Sequence, residues 1–367
     1  MTEKLTISKL KTHLWGSANL LRGSIDSSDF KNYIFGLLFF KRLSDTFDEE
    51  YGKLKATIGG KLATNPDLYT RFFRPEGCAW KDVLNTSTNI GEKINEVFKN
   101  ITLANSPKLD GILDRIDFND KDSLPDSSLS ALIQHFNAIR LGNNDVSGDV
   151  LGQAYEYLIE QFADDAGKKG GEFYTPAMVV KLLVMMLKPT ELESVYDPCC
   201  GSGGMLIQSA RYLVKRGGDP VKLFMFGQEK NRNTFVIAKM SMFLHGYEFA
   251  QIEHGDTFDS PKFLEKNGSL KKFDIVLANP PWNQNNWHYD KWKKSDPYDR
   301  FKFGLPSKKS GDWAWLQLMF ASLKDKGRMG IVLDNGVLFR GASEGKIRKQ
   351  FLEKDLIEAV VGLPSNL

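Results

Sequence analysis

The stretch FDIVLANPPWNQ, Phe273 to Gln284, ends an apolar run with an amide, two prolines and a tryptophan. Prolines cannot donate to a β ladder, and an indole at a strand tip sets a large apolar face where water reaches. A stiff tip with an aromatic face suits the methylation of an exocyclic amine such as adenine N6. That nitrogen is a poor nucleophile because its lone pair is delocalised into the ring. If the Asn279 side-chain oxygen and the Pro280 carbonyl each accept one N6–H bond, the nitrogen is drawn toward tetrahedral geometry. Its lone pair then turns toward a methyl donor. Pro280 and Pro281 fix the backbone beside Asn279 without further ordering cost. Trp282 would stack on a base swung out of a duplex, since a base in the helix cannot present its amine to a pocket.

Three further segments could serve the same rim. In DPCCGSGGMLIQSA, Gly201, Gly203 and Gly204 lack a Cβ and tolerate positive φ, which lets a ligand approach the backbone between a strand and a helix. The motif is not GxGxxG, so a dinucleotide is not the first choice. Glu229, at the end of KLFMFGQE, stands where an acidic side chain of a doubly wound fold accepts hydrogen bonds from ribose hydroxyls. Asp256, in HGDTF, ends the next strand. Each residue alone also fits a turn or helix cap, and their coincidence on consecutive strand tips favours a ligand. Cys199 and Cys200 invite a reading as nucleophiles. Cysteine attack belongs to ring-carbon methylation, with the cysteine in a different loop, so both read as buried turn residues. No cysteine and histidine spacing resembles a zinc site.

The elements that must position these residues are short apolar runs alternating with helical stretches. Candidate strands are SVYDP, KLFMFGQE, AQIEHGD, FDIVLANPP, GRMGIVLDN and LIEAVVGLP, and helices fall between them at MLIQSARYLVKRG, RNTFVIAKMSMFLHG, DWAWLQLMFASLK and ASEGKIRKQFLEKD. Such alternation predicts an α/β fold, a parallel, doubly wound sheet with helices on both faces. Residues 1–165 are mostly helical in period: Leu10, Leu14, Ala18 and Leu21 recur at three- and four-residue spacing, as do Val150, Ala154, Tyr157, Leu158 and Phe162. The division is a helical N-terminal domain over 1–165 and a catalytic domain over 166–367.

Bulk properties narrow the setting. A chain of 367 residues exceeds the usual single core. A net charge of +3 is nearly neutral at this length, so any basic surface must be local. Three cysteines, two of them adjacent, form no even framework and point to a reducing compartment. The longest strongly apolar run, YIFGLLFF, is too short to span a membrane, and the N-terminus lacks a secretory pattern. These features read as a cytoplasmic protein.

Asn279-Pro280-Pro281-Trp282 resembles the catalytic motif of amino-directed DNA methyltransferases, DPCCGSGG resembles their S-adenosylmethionine loop, and GGEFYTP matches a segment of the same family. With the helical N-terminal region, the whole chain is similar to the modification (M) subunit of type I restriction-modification systems. The resemblance implies an S-adenosylmethionine-dependent methyltransferase (Rossmann-like) sheet. It also implies that Glu172, Phe173, Tyr174, Thr175, Pro176 and Ala177 contact S-adenosylmethionine, with Asp197, Gly201, Ser202, Gly203 and Gly204. Glu229 would bind its ribose and Asp256 would lie near its adenine. Asn279, Pro280, Pro281 and Trp282 would hold the target base, and no metal is implied.

The loop after Trp282 carries Lys291, Lys293, Lys294, Arg300, Lys302, Lys308 and Lys309 among Trp287, Tyr289, Trp292, Tyr298 and Phe301. This composition suits phosphate contact and support of a flipped nucleotide, or an ordinary solvated loop. Little room remains for a module that reads a long DNA sequence. In the family that task belongs to a specificity (S) subunit, clasped by two modification subunits, with a restriction (R) subunit in the full complex. LIEAVVGLPSNL stops just after an apolar strand, and a C-terminally truncated chain is expected. Two other functions share these features: a protein-glutamine methyltransferase, whose side-chain amide poses the same chemical problem, and an assembly subunit that binds cofactor and DNA without catalysis.

Overall fold

The computed structural model describes residues 4–21, 27–69, 71–165, 175–285 and 287–364. The chain divides into two compact units, Met1–Gly171 with Lys239–Glu248, and Glu172–Ala238 with Phe249–Leu367.

The first unit is helical: α1 (Ile7–Leu21), α2 (Ser27–Ile58), α3 (Trp80–Leu84), α4 (Ile90–Ala104), α5 (Asp126–Asn137) and α6 (Gly148–Asp165). Leu10, Leu14, Ala18 and Leu21 form the buried stripe of α1. In α2, every residue from Ile34 to Phe40 is buried. A helix apolar all round belongs at the centre of a bundle. Phe35 meets Tyr155 of α6 at 4.6 Å and Phe40 meets Trp80 of α3 at 5.3 Å between ring centroids. The return to polarity is also anchored: buried Lys41 donates to Asp45 at 2.7 Å, and Asp45 accepts the Leu141 N–H at 2.7 Å. The segment 239–248, read from sequence as part of the α/β region, clusters with this unit. There Phe243 packs on Phe39 at 4.6 Å and on Phe72 at 4.8 Å.

The second unit runs α7 (Ala177–Leu187), β1 (Ser194–Asp197), α8 (Gly204–Lys215), β2 (Phe224–Glu229), the start of α9 (Arg232–Leu244, of which 239–244 cluster with the first unit), β3 (Gln251–His254), β4 (Phe273–Ala278), α10 (Tyr289–Lys294), α11 (Asp312–Ala321), β5 (Leu323–Ile331) and α12 (Ala342–Glu353). The five strands are parallel in the order β3-β2-β1-β4-β5. Val195 of β1 stands beside Met225 of β2 and Ile275 of β4. β1 is buried throughout and β4 nearly so, the near-continuous apolar pattern of strands covered on both faces. Asp274, the one charge in β4, accepts from the Ser194 N–H at 2.8 Å and from Lys324 at 2.8 Å. One face of the sheet buries Tyr196, Phe226, Phe273, Val276, Trp287 and Trp315 in a single cluster.

Strand order reverses at β1, whose neighbours are β2 on one side and β4 on the other. In open α/β sheets the crevice at the carboxyl ends of the strands flanking such a reversal is where ligands bind. The turn after Asp197 and the tip after Ala278 leave those two strands.

Five of the six expected strands form. The exception is LIEAVVGLP, where residues 356–364 pair with no strand and Val360 is 63% exposed. A β-branched run stabilises a sheet only when a neighbouring row covers it, and among the described residues no such row adjoins this segment. α7, an apolar helix not singled out from the sequence, packs against α8 and β5. No helix among the described residues is long and apolar enough to cross a membrane.

Candidate active site

The β1 turn is organised by two carboxylates. Asp197 is 2% exposed and accepts the Cys199 N–H at 3.1 Å. Burial pushes its carboxyl up to about 8, and the charge of Glu229 adds in the same direction. Glu229, at the tip of β2, accepts the Gly201 N–H at 3.0 Å and the Asn231 N–H at 2.6 Å. Its carboxyl is also raised, chiefly by burial. The turn needs left-handed backbone at Gly201, φ +54°, and at Gly203, φ +86°, where a side chain would cost strain. Gly203 caps α8, Gly204 begins it, and Ser202 sits half-buried between the glycines. Burial pushes the thiols of Cys199 and Cys200 well above their ordinary range, in keeping with turn residues rather than nucleophiles.

Asp256, just beyond β3, accepts from Lys230 at 2.7 Å and lies 2.9 Å from His288 Nε2. Burial opposes its charge, but hydrogen bonds and charges from Lys230 and His288 outweigh it and hold the carboxyl below its usual range. Asp256 thus also fastens the β2 and β3 tips to the loop after Trp282. Thr257, its neighbour, donates to the Pro198 carbonyl and ties the same tip to the β1 turn.

At the tip of β4 the Asn279 side chain has two partners. Its Nδ2 donates to Thr175 Oγ1 at 3.0 Å, and its Oδ1 accepts from the Trp282 indole N–H at 3.0 Å. The same indole N–H reaches the Val332 carbonyl at 3.2 Å. Pro280 is buried, Pro281 is exposed and the Trp282 ring is 51% exposed. The indole N–H can only donate, so it turns the amide oxygen toward Trp282 and leaves the amide nitrogen to the Thr175 hydroxyl. Pro176 caps α7 and Ala177 begins it at the surface. Glu172, Phe173 and Tyr174 lie outside the described residues.

Two family models match the sequence: N-6 DNA Methylase over residues 146–367 and HsdM N-terminal domain over residues 10–136. The chain belongs to the N-6 DNA methylase family. It is 35% identical over 383 residues to the type I restriction enzyme MjaVIII methylase subunit of Methanocaldococcus jannaschii, a match covering 100% of this chain and 63% of that relative. Identity to the HindI methylase subunit of Haemophilus influenzae is 33% over 320 residues, covering 80% of this chain and 69% of the relative. The crystal structure of a type I restriction-modification system methyltransferase subunit from Streptococcus thermophilus superposes with a TM-score of 0.81 at 30% identity, covering 99% of this chain and 82% of that one. The chain therefore spans about 63% of the length of the MjaVIII subunit and contains the family's α/β methyltransferase sheet with a helical N-terminal region.

The N-6 DNA methylase family implies S-adenosylmethionine as methyl donor, and the β1–β2 tips suit such a group. Asp197, buried, and Glu229, half-buried, are carboxylates that, among the described residues, form no ion pair. A ligand carrying ammonium and sulfonium charge would complement them. Each Glu229 oxygen that binds a backbone N–H keeps a second lone pair for a ribose hydroxyl. Among the described residues no cluster of three His, Cys, Asp or Glu could hold a metal ion.

The basic, aromatic loop differs from its sequence reading. Trp287 and Trp292 are core residues, and Arg300, 1% exposed, lies 4.2 Å over the Trp292 ring while donating to Asp296 and to the Phe258 carbonyl. Lys291 pairs with Asp259 at 2.6 Å and Lys308 with Asp290 at 2.5 Å. Most of the aromatic residues of this loop pack into the cluster that covers the sheet, because indoles at these positions gain more from burial than from exposure. Sequence reasoning also missed Lys230, His288, Val332, Asp312 and Arg340. Lys230 adjoins Glu229 and could have been suspected; pairings across dozens of residues leave no local signal.

Proposed function

We propose that the chain is the modification subunit of a type I restriction-modification complex, a site-specific DNA methyltransferase (adenine-specific) acting in the cytoplasm. The observation that carries this reading is the Asn279 amide at the tip of β4, fixed by Thr175 and standing next to the β1 turn across the reversal in strand order. S-adenosylmethionine supplies an electrophilic methyl group. The protein's part is to hold and orient. Residues Glu172 to Ala177, Asp197 and Gly201 to Gly204 line the donor site. Glu229 takes the ribose, and Asp256 reaches the adenine only by sharing its oxygens with Lys230 and His288.

For the target, Asn279 Oδ1 and the Pro280 carbonyl accept the two N6–H bonds of an adenine turned out of double-stranded DNA. The buried Pro280 and exposed Pro281 fix the tip, and Trp282 leaves Asn279 to stack on the base. Methyl transfer would leave the nitrogen cationic until one amine proton is lost. The acceptors stabilise the positive charge that the nitrogen carries until then.

Residues 1–165 are assigned to partner and DNA contacts, and residues 166–367 to catalysis. The partners are a specificity subunit, clasped by two copies of the modification subunit, and a restriction subunit in the full complex. Similarity to type I methylase subunits supports DNA over protein glutamine as substrate. The test is methylation of plasmid DNA by the chain with and without its specificity subunit, with mapping of modified adenines. N6-methyladenine at one recurrent site, dependent on that subunit, is expected. Methylation of protein glutamine instead, or no transfer by the assembled complex, would overturn the reading.

A further inference from the structure

The peptide just after the base-binding tip is held from outside every motif. Asn283 follows Trp282 and has left-handed backbone, φ +54°. Its N–H donates to Asp312 Oδ1 at 2.8 Å, and its side-chain oxygen accepts from Arg340 Nη1 at 2.8 Å. Arg340 also donates to the second oxygen of Asp312, to Ser310 Oγ at 3.1 Å and to Glu344 at 2.8 Å. Asp312 is fully buried and Glu344 is 2% exposed. One turn into α11, the Trp315 indole N–H donates to Gln284 Oε1 at 3.0 Å. Two consecutive loop residues are thus fixed by side chains from α11 and from the segment before α12. Loop ends held only by other loops would not be so constrained. Here a guanidinium fork between two buried carboxylates presents one of its nitrogens to the loop, a geometry that lysine cannot reproduce.

We infer that Arg340 and Asp312 are positioning residues for base binding: together they clamp Asn283 and so set where Asn279 and Trp282 stand when the target base arrives. The inference rests on the proposed function and deepens it. Neither residue touches the base. Their effect reaches it through five residues of chain, from Asn279 to Asn283, two of which are prolines that transmit position instead of absorbing it. Because stacking on Trp282 is made in the ground state, a loosened clamp weakens DNA binding more than it slows transfer.

The test avoids Arg340→Ala, which would leave two buried carboxylates without their cation and endanger folding. Asn283→Gly keeps the left-handed backbone and removes only the acceptor for Arg340. Arg340→Lys keeps the charge and loses the fork. Asn283→Asp retains the acceptor and tolerates the same backbone. With the chain assembled with its specificity subunit, initial rates on plasmid DNA should show KM for DNA raised about tenfold in Asn283→Gly and Arg340→Lys, a loss on the scale of a hydrogen bond to a charged group. In both variants kcat should stay within about threefold. Asn283→Asp should restore parental KM. S-adenosylhomocysteine binding, measured by calorimetry, should be unchanged in all three. Parental KM in the first two variants, or a rise in KM matched by an equal loss of cofactor affinity, would overturn the clamp while leaving the proposed function intact. An assembled parent that methylates no DNA would overturn the function and the clamp with it.

Discussion

Asp197 makes the stability of the second unit depend on pH in a direction opposite to that of an ordinary paired aspartate. Its carboxyl is raised from 3.8 to about 8, because burial disfavours the charge and the neighbouring Glu229 adds to the penalty. Below pH 3.8 both folded and unfolded chains hold the proton, so the group costs nothing. Between 3.8 and about 8 the unfolded chain has released it while the folded chain retains it, so stability falls as pH rises. The slope approaches about 1.4 kcal/mol per pH unit and flattens near the folded value. From pH 6 to pH 8 the loss is about 2 kcal/mol, and for a unit of this size that lowers the thermal midpoint by about 4 to 8 °C. Cys199, Cys200 and Tyr196, also raised by burial, keep their protons throughout this window and add no slope. Glu229 is raised too, chiefly by burial, and acts in the same direction from its ordinary value upward. The assay is the thermal midpoint of the ligand-free protein at pH 6, 7 and 8, compared with Asp197→Asn. The variant should lose about one proton's worth of slope and be more stable than the parent at pH 8. Identical slopes in parent and variant would refute the reasoning, and with it the description of Asp197 as a buried carboxyl that keeps its proton in the ligand-free protein.

Two further substitutions separate roles within the site. Thr175→Val removes the hydroxyl that holds the Asn279 amide nitrogen, so kcat should fall by about ten- to a hundredfold while S-adenosylmethionine affinity is retained; Thr175→Ser should recover most of it, and loss of cofactor affinity without loss of kcat would return Thr175 to the cofactor site alone. Trp282→Phe keeps the aromatic face and removes the N–H that occupies Asn279, so KM for DNA should stay level or fall, whereas Trp282→Ala should raise it by about ten- to a hundredfold through lost stacking. Equal damage in both variants would mean that the indole N–H, not its face, binds the base.

Much of this architecture is legible in the residues because their roles are local. The apolar run FDIVLA, closed by prolines, specifies a buried strand ending at a rim, and DPCCGSGG specifies a turn that only glycine can complete. α1 is readable from four aliphatic positions at helical spacing. What escapes the sequence is whatever depends on a partner far along the chain. LIEAVVGLP has strand composition but no ladder, and 239–248 reads like any helix end until Phe243 meets Phe39. Arg300 looks like a phosphate ligand by composition, yet Asp296 and Trp292 claim it. Thr175 belongs by motif to the cofactor segment, and its hydroxyl accepts from the Asn279 amide, a pairing across the chain that no local pattern announces. Composition gives a residue's chemistry; the sheet order and the loops decide which neighbour uses it.

The central claim is that Asn279, held at the β4 tip, directs methyl transfer to adenine N6. The most direct measurement is mass-spectrometric quantification of N6-methyladenine in plasmid DNA after incubation with S-adenosylmethionine and the chain assembled with its specificity subunit, for the parent and for Asn279→Ala. The parent should accumulate N6-methyladenine at a recurrent site, and the variant should lose transfer by at least about a hundredfold while binding S-adenosylmethionine as the parent does. N6-methyladenine formed by Asn279→Ala within a few-fold of the parent's rate would contradict the account.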